Sequence, residues 1–160
     1  MPLILSGDTG VPASGMPAGS VIQTVTATYK TYTSRTSSTY ADTGLTASIT
    51  PTSASSKILV LVSLNGIGKQ GSDTAVGLKL FRGSTELTLI DDSVGGQIAS
   101  TTVFVGSSCI NFLDSPATTS STAYKVQFAS VSNTSAVYIN NYSGTVNTVT
   151  STMTLLEIKQ

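Results

Sequence analysis

Histidine and tryptophan are absent from this 160-residue chain, and cysteine occurs once, at position 109. Without histidine the commonest general base and metal ligand are both missing. A Ser–His or Cys–His nucleophile pair therefore cannot be built within the chain. A lone cysteine forms no intrachain disulfide, which leaves stability to packing or assembly. Charge is scarce too: eight basic and eight acidic residues cancel and together make up 10% of the chain, well below the roughly one quarter usual in globular domains. With no basic cluster there is no phosphate-neutralising surface, and nucleic acid is not an expected partner. No apolar run approaches the ~20 residues of a membrane-spanning helix, so no membrane insertion is expected. The opening MPLILSGDTG has no positive leading region and only a short apolar run, so a standard secretory signal is not expected either.

What is plentiful is hydroxyl: 25 serines and 26 threonines. Threonine is β-branched and tolerates both a half-buried pleat and water, so this composition favours strands whose outer faces are wet but uncharged. The longest apolar run, KILVLVSLN at 57–65, organises the rest. Ile58, Val60, Val62 and Leu64 fall on one face of an extended strand, Leu59 and Leu61 on the other, which predicts a central strand buried on both sides. Its shortness, its Ser/Thr-rich flanks and the lack of cap signals disfavour a helix. Around it, alternation predicts strands at 20–28, 45–50, 75–82, 86–90, 100–105, 107–113, 122–130, 136–142 and 149–158, with loops at 29–43, 65–72 and 91–97. Gly83-Ser84-Thr85 reads as a hairpin connection.

Roughly ten strands, no helix pattern and no fixed repeat predict an all-β domain over residues 20–160: a jelly-roll-like antiparallel β-sandwich. Residues 1–19, punctuated by glycine and proline, predict an extended N-terminal arm. Leu3, Ile4, Leu5, Val11 and Met16 make that arm too apolar for a purely solvated tail, and they are candidate docking residues against a neighbouring chain. Long Ser/Thr-rich edges with few lysines are an aggregation hazard in a monomer. Assembly into a closed ring, a trimer or similar, is therefore expected.

No catalytic constellation emerges. NGIGKQGS at 65–72 lacks the Gly-Lys-Ser/Thr ending of a phosphate loop and the spacing of a dinucleotide fingerprint; it reads as a connection between sheets. Asp91-Asp92 is the only adjacent carboxylate pair. Strand neighbours point to opposite faces, so the pair reads as a turn start, with too few oxygen ligands beside it for Ca²⁺. Asp42, Asp73 and Asp114 lie elsewhere, and their convergence on an ion stays open. Cys109 alternates with Asn111 and Leu113 and reads as a buried structural thiol. No Gly-x-Ser-x-Gly elbow appears. Asn133-Thr134-Ser135 and Asn141-Tyr142-Ser143 match the glycosylation sequon, which carries little weight without a secretory signal. No cofactor or metal is expected. The tyrosines are the feature to follow: Tyr29, Tyr32, Tyr40, Tyr138 and Tyr142 lie in or beside polar loops. A flat apolar ring with a hydroxyl suits uncharged contact with carbohydrate or protein; edge packing is the plainer use.

The blocks TGLTASITPTSASSKILVLVSL, KLFRGSTEL, INFLDSPATTSSTAYKVQF, VYINNYS and STMTLLEI carry a resemblance. Over about residues 18–158 the chain resembles small tail-fibre-like or head-decoration-like virion proteins of tailed phages that infect aquatic bacteria, including cyanophages. MPLILSGDTGV also resembles the N-termini of phage fibre proteins. The resemblance implies a non-enzymatic structural or adhesive role in the virion, assembled in the host cytoplasm, often as a homotrimer with other virion proteins as partners. Two uses follow as expectations. One is a tail-fibre or spike module for host attachment, contacting a surface glycan or envelope protein through the tyrosines. The other is a capsid decoration or cement protein that grips the head shell through its arm. A carboxylate-only glycosidase ranks below both.

Overall fold

A computed structural model describes residues 12–95, 102–141 and 149–160. Among these, ten strands follow in order: β1 (Val21–Tyr29), β2 (Thr33–Arg35), β3 (Ala41–Ile49), β4 (Lys57–Gln70), β5 (Val76–Arg82), β6 (Thr85–Val94), β7 (Thr102–Asp114), β8 (Thr122–Ser130), β9 (Val137–Ile139) and β10 (Ser151–Ile158). A short 3₁₀ turn, Ala13–Gly15, precedes them. All pairings are antiparallel. Sheet A runs β1-β10-β4-β7, with β9 and β2 continuing from the second half of β4; sheet B runs β3-β8-β5-β6. No helix of the described residues is long and apolar enough to cross a membrane.

The period-2 pattern decides what faces inward. Leu45 and Ile49 of β3, Leu78 and Leu80 of β5, and Tyr124, Val126 and Phe128 of β8 meet Ile58, Val60, Val62, Leu64, Met153 and Leu155 of sheet A in one buried cluster. Each such side chain contributes on the order of 2 kcal/mol, against about 0–1 kcal/mol for exposed ion pairs such as Lys79–Glu86. Burial, not charge, holds the sandwich. This is the all-β sandwich that the alternation predicts.

Several local expectations are corrected. The run at 57–65 is buried on one face only: Leu59, Leu61 and Ser63 on its other face are half-buried. The stretch 65–72 is not a loop, because β4 continues to Gln70. Its glycines answer close neighbours rather than a turn. β2 and the start of β3 fall within 29–43, and β6 carries Asp91 and Asp92 onward to Val94. The two strands expected at 100–105 and 107–113 are one, β7, with Gly106 at φ +119° where its register against β4 shifts. At the β5–β6 hairpin the expectation holds: Gly83, at φ +57°, opens a two-residue turn, the position at which a type II′ turn takes glycine.

Three buried polar groups fix the ends of the sandwich. At one end Asp114 closes β7, accepting from Arg82 Nη1 (2.7 and 2.8 Å) and from the Tyr124 hydroxyl (2.6 Å), so one carboxylate ties sheet A to two strands of sheet B. Nearby, the buried Glu157 Oε1 accepts from the Thr52 amide and hydroxyl, both at 2.7 Å, and pins the β3–β4 turn. At the opposite end Asn140, fully buried with φ +58°, donates to Thr31 O (3.1 Å) and accepts from Ser151 Oγ (2.5 Å). Asn140 N donates to Asn65 O and Asn141 N to Gly66 O, which holds β4 where its neighbour changes from β10 to β9.

Candidate functional site

The outer face of sheet A is built by simple alternation. Cross-strand register sets Thr24, Leu156, Leu59 and Leu113 in one row, Thr26, Thr154, Leu61 and Asn111 in the next, and Thr28, Thr152, Ser63 and Cys109 in a third. Cys109 is exposed on this face, which corrects the expected buried thiol. Its strand neighbours Ile110 and Phe112 take the inward positions instead. The outer face of sheet B differs. There Asp42 pairs with Lys125 (2.9 Å) and Lys79 with Glu86 (2.8 Å). Burial pushes the Asp42 carboxyl upward, but hydrogen bonds from Lys125 and Gln127 outweigh it and hold the group below the usual value.

Beyond Gly66 the sheet A face becomes aromatic. Gly68 pairs with Phe104 on one side and Tyr138 on the other. The Tyr138 ring lies over Gly68, where a Cβ would come within 2.2 Å of it; its hydroxyl donates to Lys69 O (3.3 Å). Tyr32 and Phe104 flank it at 6.1 and 6.3 Å between ring centroids, tilted by 43° and 56°. These spacings suit tilted aromatic packing. Tyr138 is nearly buried, while Tyr32 and Phe104 remain 47% and 45% exposed. Beside Phe104 a cleft of about 490 Å³ opens between Asn65–Ile67 and Val105–Ser107, with Asn141 and Val149 on its rim.

The tyrosines thus separate. Tyr29 lies over Gly44 and Tyr40 over Gly77, as Tyr138 lies over Gly68; each ring covers a strand glycine that has no side chain of its own to pack. Tyr40 also carries the Lys79 ammonium 4.5 Å above its ring. Only Tyr32 joins Tyr138, and Phe104 completes the strip. Sequence reading missed Phe104, since nothing local shows that it stands across Gly68 from Tyr138. Tyr142 lies outside the described residues, as do Leu3, Ile4, Leu5 and Val11. Met16 is half-buried beside the end of β10, where Lys159 Nζ donates to Met16 O and Ser14 O.

The aspartates do not gather. Asp42 and Asp114 sit in separate ion pairs, Asp91 accepts from Ser93 N, and among the described residues no three potential ligands cluster as a metal site. A second cavity, about 260 Å³, is lined by Thr52, Ser53, Ser55, Ser56 and Lys159; the Thr52 hydroxyl there is taken up by Glu157 and the Lys159 ammonium by the Ser14 and Met16 carbonyls. The Asn133 amide is occupied: Oδ1 accepts from Thr74 and Ser135, and Nδ2 donates to Ser72 O. Asn141 is buried.

Three tyrosines predict alkaline sensitivity. Burial raises the hydroxyls of Tyr40, Tyr124 and Tyr138 above the usual value. For Tyr124 the Asp114 hydrogen bond adds to it, for Tyr138 the neighbouring Tyr32 does, and for Tyr40 the Lys79 charge partly opposes it. Below about pH 10 folded and unfolded chains both hold neutral tyrosines, so stability is flat. Above it only the unfolded chain ionises freely, and stability falls by up to about 1.4 kcal/mol per pH unit through Tyr124. Urea melts across this range check the slope, which Tyr124→Phe flattens.

Comparison with known proteins gives no matching family model and no matching curated protein.

Proposed function

We propose that this chain is a non-enzymatic structural module of a tailed-phage particle. In this reading it is a homotrimeric tail-fibre or spike piece that meets the host surface. The observation that carries it is the aromatic strip beyond Gly66, the half-exposed rings of Tyr32 and Phe104 around Tyr138. Aromatic faces set among hydroxyl and amide groups bind neutral polyhydroxylated surfaces without needing charge. The strand order also supports the reading. Four strands β1-β10-β4-β7 facing β3-β8-β5-β6 suit a jelly-roll-like sandwich, an architecture of viral capsid and lectin domains.

Recombinant protein tests this by binding host cells and competing with phage adsorption. Tyr32→Ala with Phe104→Ala weakens binding roughly tenfold or more, as loss of central aromatic contacts does, and leaves the melting temperature close to wild type because both rings are half in water. A wild-type chain that neither binds nor competes sinks the attachment reading.

A head-decoration role is the second reading. Its support is at the other end of the sandwich, where Lys159 fastens residues 14–16 and the Gly19 and Ser20 backbone pairs with Lys159. In this reading Leu3, Ile4, Leu5 and Val11 are the residues that grip the shell. Imaging labelled protein on intact particles separates head from tail.

A further inference from the structure

We infer that the outer face of sheet A, together with its edge strand β7, is the surface through which this chain packs against a second copy of itself. This deepens the homotrimer element of the proposed function by naming the contact surface. The first ground is the contrast between the two sheets. Sheet B shows water two ion pairs. Across the three central rows of sheet A, over four strands, Cys109 is the only ionisable side chain, and Lys57 stands at the margin. One row of that face is leucine, Leu156–Leu59–Leu113, with Leu113 52% exposed; Thr26, Thr154, Leu61 and Asn111 lie on one side of it, Ile158 and Lys57 on the other. Exposed apolar side chains among mostly uncharged polar ones are the composition of a protein–protein interface.

The edges repeat the contrast. Sheet B ends in β3, which carries Asp42, and in β6, which carries Glu86, Asp91 and Asp92. Among the described residues β7 pairs only with β4, and from Thr102 to Leu113 it has no charged residue and no proline. A long, neutral, unprotected edge is what monomeric β-proteins avoid, because another strand can add to it.

Charge selects the occupant. An anionic polymer or lipid surface finds no cation in these three rows, and a strongly charged protein finds nothing there to pair with. A second copy brings the same neutral surface. Around a threefold axis the sheet A face of one copy meets the β7 edge of the next, neutral against neutral with no like charges opposed, and such contacts close into a ring.

Cys109, the chain's single cysteine, lies on this face and reports on it. Light scattering of the full chain at about 100 µM shows a multimer, and Cys109 reacts with a bulky maleimide roughly tenfold or more slowly than in unfolded protein. Leu113→Asp gives a monomer with native circular dichroism and a fast-reacting Cys109. A multimer whose mass survives Leu113→Asp overturns the face and leaves self-assembly standing. A wild-type monomer overturns both. Should Leu113→Asp fail to fold, the wild-type thiol rate decides: slow reaction supports the face, and reaction at the unfolded rate overturns it.

Discussion

Asp114→Ala destabilises the domain by about 3 kcal/mol, a large share of the roughly 5–15 kcal/mol that folded domains have. The side chain is nearly buried and satisfies two donors from the opposite sheet. Its removal leaves the Tyr124 hydroxyl, fully buried, without an acceptor. It also strips the Arg82 guanidinium of its partner at 2.7 Å. The tyrosine carries the larger penalty: Arg82 is 28% exposed and recovers water, whereas the buried hydroxyl cannot. Tyr124→Phe, which removes donor and desolvation cost together, costs only about 1 kcal/mol. In the double variant the two losses fall short of adding, because they share one hydrogen bond. Urea denaturation of the four species measures this, and losses that add in full in the double variant would show that the clasp is not coupled.

Gly66→Ala costs at least about 3 kcal/mol, the sum of left-handed strain and forced displacement. Gly66 has φ +62°, and a Cβ there lies 2.6 Å from Asn141 N, 2.7 Å from Asn141 O and 2.6 Å from the Val149 side chain. The Asn141 backbone cannot retreat, since its amide donates to Gly66 O and its neighbour Asn140 is bound on three sides. Gly83→Ala is the control: φ is also positive, at +57°, but nothing stands within 4 Å, so only conformational strain of about 1 kcal/mol remains. Thermal melts rank the two, and the ranking reverses only if the turn, not the β4 switch, is the constrained point. Because Gly66 also lines the cleft beside Phe104, the variant disturbs the aromatic strip as well as the fold.

Strands whose inward positions are uniformly apolar were legible in the sequence. Residues 122–130 and 45–50 fall where alternation places them, and so does the split of Leu155 inward from Leu156 and Ile158 outward. What alternation cannot supply is the identity of a neighbour. Glycine at 66 and 68 looks like a loop until Asn141 and Tyr138 are known to occupy the space above it. The same ignorance hid the aromatic strip, whose rings come from residues 32, 104 and 138 and meet only through the register of β4 with β7 and β9. Lys69 and Glu157 occupy inward positions beside Ile67 and Leu155, yet their charge argues for water. For Glu157 the two hydrogen bonds from Thr52 resolve the conflict, and they come from a turn a hundred residues away in the chain. Cys109 was misplaced for the opposite reason: its hydrophobicity suggested burial, but Ile110 and Phe112 compete for the inward side and win it.

β10 sits between β1 and β4, so that Thr26 and Thr154, 128 positions apart, face each other hydroxyl to hydroxyl. During synthesis β1 leaves the ribosome with no partner, and sheet A keeps a gap at its middle until the strand that fills it has been made. The chain therefore completes its fold after most of it has been translated, by closing loops of very long span, in the slow millisecond-to-second regime of non-local β-proteins. In that interval the facing edges of β1 and β4 are bare, and it is then that a chaperone or an already folded copy has the most to protect.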